Sequence, residues 1–161
     1  MKTTAQRAVA LTLATASLLG ATLALNAQAQ QAPKPEQLIK WRQSAYQLLA
    51  WNTGRIKANV DGTYNKDEVV KSANLIAAIA NANLGQLYAP GTETGKGFHE
   101  TAVKPELWTD KRAAEAGAAF NKEANELARV ASAGEVGAVK TQLGKLQGTC
   151  KGCHDDFRKK D

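Results

Sequence analysis

Two cysteines and a histidine near the C-terminus stand at a spacing that can hold a metal-containing cofactor. They lie in the segment Cys150-Lys151-Gly152-Cys153-His154. This C-x-x-C-H pattern is the attachment signature of c-type haem. The two thiols can add to the haem vinyl groups, and the histidine can offer an imidazole nitrogen to the iron. On a helix all three side chains share one face. The motif therefore predicts one haem c, attached through Cys150 and Cys153, with His154 as the axial iron ligand.

Three other interpretations of these cysteines fit the sequence less well. A disulfide between Cys150 and Cys153 would have poor geometry on a helix. A thioredoxin-type C-x-x-C would follow a strand in a βαβ unit, and the sequence has no strand-like alternation. Zinc would usually need two more Cys or His ligands, and only His99 remains. Haem attachment also uses both cysteines of the chain.

The N-terminus has the features of an export signal. Lys2 and Arg7 precede an apolar run from Ala8 to Leu25, and an A-x-A cleavage site ends at Ala29. We expect cleavage there, so that residues 1–29 are a signal peptide and residues 30–161 are one haem domain. A retained membrane anchor is the alternative, but a run rich in Ala and Thr disfavours it. We therefore expect an exported, periplasmic protein with no membrane contact after cleavage.

The basic charge of the chain is spread along it, which disfavours a nucleic-acid partner. The formal net charge is +6, and only the C-terminal end gathers basic residues, at Lys151 and 158–160. No acid–base pair suited to catalysis stands out, and we expect Asp155 and Asp156 to be solvated. We therefore expect neither a nucleic-acid-binding protein nor an enzyme.

Four stretches carry apolar residues at the helical period of 3.6. They predict helices over residues 34–59, 66–88, 110–133 and 135–159, with Gly134 ending the third. Residues 89–104 form one long connection, and the other two connections are short. The fold class is therefore all-α, an antiparallel four-helix bundle. Because many core positions are alanine, haem would supply much of the core, and the apo-protein should be markedly less stable.

The first helix has two unusual residues in its predicted apolar stripe, which comprises Leu38, Arg42, Ala45, Tyr46, Leu49, Thr53 and Ile56. Arg42 either binds a haem propionate through charge-assisted hydrogen bonds or lies at the edge of the stripe and reaches water. Tyr46 can be a core aromatic residue or lie over the distal face of the haem, and the two roles do not exclude each other.

The sixth coordination position of the iron decides the function. Electron-transfer cytochromes commonly place Met or a second His there. Met1, the only methionine, leaves with the signal peptide, and His99 lies in a Gly-rich loop. We expect His99 to be a surface residue and the iron to be five-coordinate and high-spin. If His99 instead fills the site, the haem is low-spin.

Several segments together resemble the cytochrome c′ family. They are the first helix (KPEQLIKWRQSAYQLLAWNTGRI), the PGTE element at residues 90–93, the KPELW-TD stretch at residues 104–110 and the terminal CKGCHDDFRKK. The resemblance covers nearly all of the chain after the signal. Residues 94–103, which include His99, match no motif of the family.

The resemblance implies a homodimer, formed through the first two helices, with a five-coordinate haem that binds NO and CO and discriminates against oxygen. Exposure of Trp41 or Trp51 would fit that interface, although either could pack inside. By position, the resemblance also implies roles for further residues around the haem. Arg42 and Gln43 match a haem-contacting pair, Thr92 and Glu93 match a segment near the haem edge, Tyr46 matches a bulky distal residue, and Arg158 matches a basic residue near the proximal face.

The leading hypothesis is a haem protein that binds small diatomic gases, chiefly NO, with reversible redox cycling of the iron. The first alternative is a simple periplasmic electron carrier with a six-coordinate haem and an unidentified redox partner. The second is a haem-free helical binding module, which requires the C-x-x-C-H pattern to be accidental.

Overall fold

Four α-helices carry the fold, and residues 32–160 contain no β-strand. The computed structural model describes these residues, so the predicted signal peptide lies outside the described part of the chain. The helices are α1 (Pro35–Asp61), α2 (Lys66–Ala80), α3 (Arg112–Ala133) and α4 (Val136–Phe157). The predicted all-α four-helix fold is confirmed. Within the described range, no helix is long and apolar enough to cross a membrane.

The helix ends follow from local sequence signals. Pro35 starts α1, where its missing N–H costs nothing. The Asn65 side chain caps α2 by accepting a hydrogen bond from the backbone N–H of Glu68 at 3.2 Å. Gly134 ends α3 as predicted, with a φ of 88° that favours glycine. The predicted bounds of α1, α3 and α4 are right to within about two residues.

The second helix is shorter than predicted, because it ends at Ala80 rather than at Tyr88. Asn83 adopts a left-handed backbone conformation with φ 55°, and a 3₁₀ turn follows over Leu84–Tyr88. Asn121 of α3 donates to the carbonyl of Ala80 at 3.0 Å, so a side chain takes over where the helical hydrogen bonds stop. A second 3₁₀ turn, Pro105–Trp108, precedes α3.

The bundle has two ends of different character. In the packed end, α1 connects to α2 and α3 connects to α4, and Lys66 reaches across to the carbonyl of Ala133 at 3.3 Å. The two short connections keep the joined helices antiparallel. The core of the packed end is aliphatic and comprises Ile56, Val60, Val69, Ala73, Ile76, Leu127, Ala131, Val139 and Leu143. The opposite end, which we call the cavity end, holds the start of α1, the start of α3 and the last turns of α4.

The buried stripe of α1 differs from the predicted one. Ile39 is fully buried, whereas Leu38 is half-buried and Tyr46 is 39% exposed. Ile39 lies beneath the long connection, since a Cβ on Gly95 would meet its Cδ1 at 3.4 Å. The sequence pattern missed Ile39 because the connection covers a face that the bundle alone would leave exposed. Asn52 is also buried and donates to a backbone carbonyl one turn earlier at 2.8 Å.

Candidate haem-binding site

The C-x-x-C-H residues lie in the last turns of α4 and line a single large cavity. The cavity has a volume of about 1540 Å³. Cys150, Cys153 and His154 all contribute to its wall, as the helical spacing predicts. Neither cysteine forms a disulfide. Two thiols and an imidazole therefore face the same space.

The surroundings of His154 favour the neutral imidazole. Burial lowers its pKa, and the positive charge of Arg158 lowers the pKa further. Neutral imidazole is the form that binds a metal ion. Burial also raises the pKa of Cys150 and Cys153, so both are thiols at neutral pH.

The first turns of α3 line the cavity with small side chains. They include Ala113, Ala116 and Gly117, with Phe120 one turn further on. A Cβ on Gly117 would meet no atom within 4 Å. These small residues leave room for a broad planar group, and Phe120 offers it an apolar contact.

Two tyrosines line the cavity from α1 and from the first 3₁₀ turn. The Tyr88 hydroxyl donates to the Tyr46 hydroxyl, with 3.0 Å between the oxygens. Burial raises the pKa of both phenols, so both are neutral at physiological pH. Tyr46, which the sequence placed near the haem, therefore shares a cavity with the C-x-x-C-H residues.

Arg42 ties the long connection to α1. Its guanidinium donates to the Leu87 carbonyl at 3.1 Å and to the Thr101 hydroxyl at 2.8 Å. It also donates to the hydroxyl and the carbonyl of Thr92, at 3.2 and 3.3 Å. Arg42 is only 4% exposed, so it does not reach water from the edge of the stripe. Acceptors within the chain thus take hydrogen bonds from both terminal guanidinium nitrogens, which one of the two hypotheses directed to a propionate.

Gln43, the residue after Arg42 in α1, also holds the long connection. Its amide nitrogen donates to the His99 carbonyl at 2.9 Å and lies 3.2 Å from His99 Nδ1. Its amide oxygen accepts from the backbone N–H of Phe98 at 2.7 Å. Residues 94–103, which matched no motif, are thus fastened to α1. His99 is exposed, as predicted, and it also lines the cavity.

Thr92 and Glu93 relate to the cavity differently from the expectation. Thr92 is fully buried and donates to the Ala89 carbonyl at 2.8 Å. It reaches the site only through Arg42. Glu93 is half-buried, and it is not among the described residues that line the cavity. The structure therefore gives Thr92 a supporting position and does not bring Glu93 to the cavity wall.

Arg158 lines the cavity just after α4, where backbone hydrogen bonds fix the chain. The backbone N–H of Lys104 donates to the Phe157 carbonyl at 2.9 Å, and that of Lys159 donates to the Ala102 carbonyl at 2.7 Å. The Lys104 ammonium caps the end of α4 by donating to the carbonyls of Asp155 and Asp156. These contacts hold the helix turn that carries His154.

Several residues of the cavity wall are not predicted from the sequence. The periodicity places Tyr88 at the end of the second helix, and the KPELW-TD stretch gives Trp108 no role. The Trp108 indole N–H donates to the Tyr88 carbonyl at 2.7 Å, which joins the two 3₁₀ turns. The available signal is the aromatic content of two short connecting segments, because Tyr and Trp have large apolar bodies and a polar group that usually finds a partner when buried.

Comparison with known proteins agrees with this geometry. Residues 37–158 match the family described as Cytochrome C′. A cytochrome c′ from Rhodocyclus tenuis is 63% identical over 130 residues, which span 80% of this chain and 98% of that protein. The chain belongs to the cytochrome c′ family. The resemblance inferred from the sequence is therefore confirmed.

Solved cytochrome c′ structures share the fold. One, a cytochrome c′ with an unusual ligand-controlled dimer dissociation, is 44% identical, with a TM-score of 0.77 over 80% of this chain and 99% of the other. A nitric oxide complex of a cytochrome c prime variant from Alcaligenes xylosoxidans is 29% identical, with a TM-score of 0.71 over 81% of this chain and 100% of the other.

Cytochrome c′ membership implies a haem c cofactor, and the residues present fit it. The donor set is two thiols and a neutral imidazole on one helix face. The first turns of α3 line the same cavity with alanine and glycine, which leaves room for a planar macrocycle. Phe120, Leu107 and Leu146 supply apolar contacts along the same cavity. Nothing in the described lining conflicts with such a group.

Proposed function

We propose that this protein carries one haem c, held covalently by Cys150 and Cys153 with His154 as the axial ligand, and binds small diatomic gases such as NO and CO. The observation that carries the proposal is the convergence of two thiols and an imidazole, from one face of α4, on one cavity with a small-residue wall. A haem-free binding module would not need these three groups to line one cavity.

The proposal for gas binding depends on what lies around the sixth coordination position. A bound haem c supplies an iron atom whose sixth position can take a diatomic gas. No methionine occurs after Met1. The His99 ring is held in the long connection, with Nδ1 3.0 Å from the Glu100 carbonyl and 3.2 Å from the Gln43 amide. A relative from Alcaligenes xylosoxidans forms a nitric oxide complex, which supports the same ligand here.

We propose a binding role rather than catalysis. Asp155 and Asp156 are exposed, and neither is among the described residues that line the cavity. Their carboxylates pair instead with basic side chains, Asp155 with Lys151 and Asp156 with Arg112. Solvated ion pairs of this kind supply no acid–base group to the cavity.

The first experiment tests attachment. The chain is produced in cells that mature c-type haem, and its intact mass is measured after denaturation. We expect the mass of the polypeptide plus one haem, and loss of that adduct in a Cys150→Ala/Cys153→Ala variant. A Thr149→Ala variant, altered at the neighbouring position, should keep it. Wild-type protein without covalent haem would overturn the proposal.

The second experiment tests gas binding. Ferrous protein is titrated with NO and with CO while the optical spectrum is recorded. We expect a spectral change that saturates at one gas molecule per haem. A spectrum that stays unchanged at excess NO would contradict the proposed gas binding.

A six-coordinate electron carrier is the second candidate, because His99 lines the same cavity as His154. A His99→Ala variant separates the two functions. If His99 binds iron, the variant changes the spectrum of the unliganded protein from low-spin to high-spin. If the gas-binding proposal holds, the variant leaves that spectrum as it is.

We also propose a homodimer. Trp41, Leu48 and Trp51 of α1 are 45%, 45% and 57% exposed, and Leu75 of α2 is 38% exposed. Exposed aromatic and aliphatic residues on two adjacent helices favour an interface. A solved relative forms a dimer whose dissociation is controlled by a ligand. Sedimentation velocity should show a dimer that Trp51→Glu disrupts. Phe98→Glu, at an exposed site on the long connection, is the control. A monomeric wild type at all concentrations would contradict the dimer.

The proposed location is the periplasm, reached through the predicted signal peptide. The expected mature N-terminus is Gln30. Intact-mass analysis of protein from the periplasmic fraction tests both the location and the cleavage site. A mass that still includes residues 1–29 would contradict the proposed cleavage.

A further inference from the structure

The contact between Tyr46 and Tyr88 joins α1 to the first 3₁₀ turn, a pairing that no sequence pattern predicts. Tyr46 comes from the first half of α1, and Tyr88 ends the first 3₁₀ turn. Their hydroxyl oxygens lie 3.0 Å apart in the cavity wall. Each hydroxyl is therefore the polar neighbour of the other within an otherwise largely apolar lining.

Tyr88 is the fixed member of this pair. The Arg42 guanidinium lies over its ring, with 4.5 Å from Cζ to the ring centre, and this cation is attracted to the aromatic face. The carbonyl of Tyr88 accepts from the Trp108 indole, and the preceding carbonyl, of Leu87, accepts from Arg42. Backbone and ring are thus both held.

The pairing determines where the Tyr46 proton lies. A phenol hydroxyl keeps its hydrogen near the plane of the ring, because an oxygen lone pair conjugates with the ring. Two in-plane positions are available. When Tyr46 accepts a hydrogen bond from Tyr88 at one of them, its own hydrogen occupies the other. The positive charge of Arg42 over the Tyr88 ring polarises that hydroxyl and favours it as the donor.

We propose that Tyr88 is a positioning residue that fixes the Tyr46 hydroxyl as a hydrogen-bond donor directed at the gas ligand. This inference rests on the proposed function. In this proposal Tyr88 acts on the ligand through Tyr46. A directed donor stabilises ligands that carry partial negative charge, so the pair sets the preference among diatomic ligands as well as the space available to them.

The test is the C–O stretching band of the ferrous carbon monoxide complex, measured by infrared spectroscopy. Loss of a donor to bound CO moves this band to higher wavenumber. Tyr46→Phe should therefore shift the band upward. Tyr88→Phe should split or broaden it, because the Tyr46 hydroxyl then adopts both in-plane positions. The double variant should match Tyr46→Phe alone.

Tyr64 provides the matched control, since it is the third tyrosine of the chain and is not among the residues that line the cavity. Tyr64→Phe should leave the band unchanged. If Tyr46→Phe does not shift the band, or if Tyr88→Phe leaves a single sharp band at the wild-type position, the inference is wrong. If the wild-type protein forms no CO complex, the proposed function fails and this inference fails with it.

Discussion

The two ends of the bundle are closed by different kinds of interaction. The packed end is filled by aliphatic side chains, among them Ile56, Leu127 and Val139, each fully buried. The cavity end has alanine, glycine and thiol groups along α3 and α4, and the long connection is fastened there by hydrogen bonds from Arg42 and Gln43. The packed end is closed by aliphatic side chains that contact one another, whereas the cavity end places small and polar side chains around one large cavity.

This difference indicates that one end of the bundle provides stability and the other end forms the site. Close packing of aliphatic residues supplies the stability of a helical bundle. The cavity end instead keeps side chains small where a planar group fits and polar where the connection must be held in place. We therefore expect the stability of the polypeptide to come mainly from the packed end, and we propose that haem supplies the core of the cavity end.

Removing the haem should give the largest effect. In the Cys150→Ala/Cys153→Ala variant we expect the thermal midpoint to fall by about 10 °C or more, as a loss of several kcal/mol implies for a domain of this size. Hydrogen exchange should increase in the last turns of α4 and change little around Leu127. Equal thermal midpoints for the loaded and haem-free proteins would contradict the comparison.

Truncating a core residue of the packed end should come next. Leu127→Ala is expected to lower the free energy of unfolding by about 2–5 kcal/mol, since Leu127 is fully buried and leaves a void. The loss should be similar with and without haem, as measured by urea denaturation. Leu107→Ala, in the cavity wall, is the matched variant and should destabilise the haem-loaded form more than the haem-free form. If the effect of Leu127→Ala depended on haem and that of Leu107→Ala did not, the two ends would not be independent.

Arg42→Met tests the polar fastening of the cavity end. The change leaves the carbonyls of Leu87 and Thr92 without their donor, which should cost about 1–3 kcal/mol. Hydrogen exchange should rise across residues 87–101 and remain unchanged in the packed end. Lys40→Met, on the exposed face of the same helix, should stay within about 0.5 kcal/mol of wild type. An Arg42→Met protein as stable as this control would contradict the fastening role.

The outer face of α4 belongs to neither end and should give the smallest effect. Gly144 is exposed and helical, and a Cβ there would meet no atom within 4 Å. Gly144→Ala should therefore raise the free energy of unfolding by about 1 kcal/mol. Gly134→Ala should lower it, because Gly134 has φ +88° and an added Cβ would meet Lys66 Cε at 2.7 Å. Urea denaturation measures both, and destabilisation by Gly144→Ala would contradict the view that this face is unpacked.

The packed end could be predicted almost completely from the sequence. Residues such as Val69, Ile76 and Leu143 recur at helical spacing, and Pro35 and Gly134 mark helix ends by local backbone chemistry. Cys150, Cys153 and His154 could equally be predicted as site residues, because their spacing lies within five positions of the sequence.

The cavity end was less predictable, since its contacts join residues far apart in the chain. At the end of α2, the carbonyl of Ala80 accepts a hydrogen bond from Asn121 of α3. No local sequence pattern predicts this contact. Arg42 is buried because Thr92 and Thr101 of the connection accept its hydrogen bonds. Tyr88 reaches the cavity only because the 3₁₀ turn replaces the predicted helix. Periodicity describes faces of helices and says little about what a connection will cover.

The proposed function requires that the cavity holds one haem with His154 on one side of the iron and an open position on the other. Resonance Raman spectroscopy of the ferrous haem-loaded protein, recorded before and after addition of NO, can test this arrangement. We expect a five-coordinate, high-spin spectrum that is replaced by that of an NO complex. A six-coordinate, low-spin spectrum that does not respond to NO would show that a side chain fills the open position, and the proposed gas binding would be wrong.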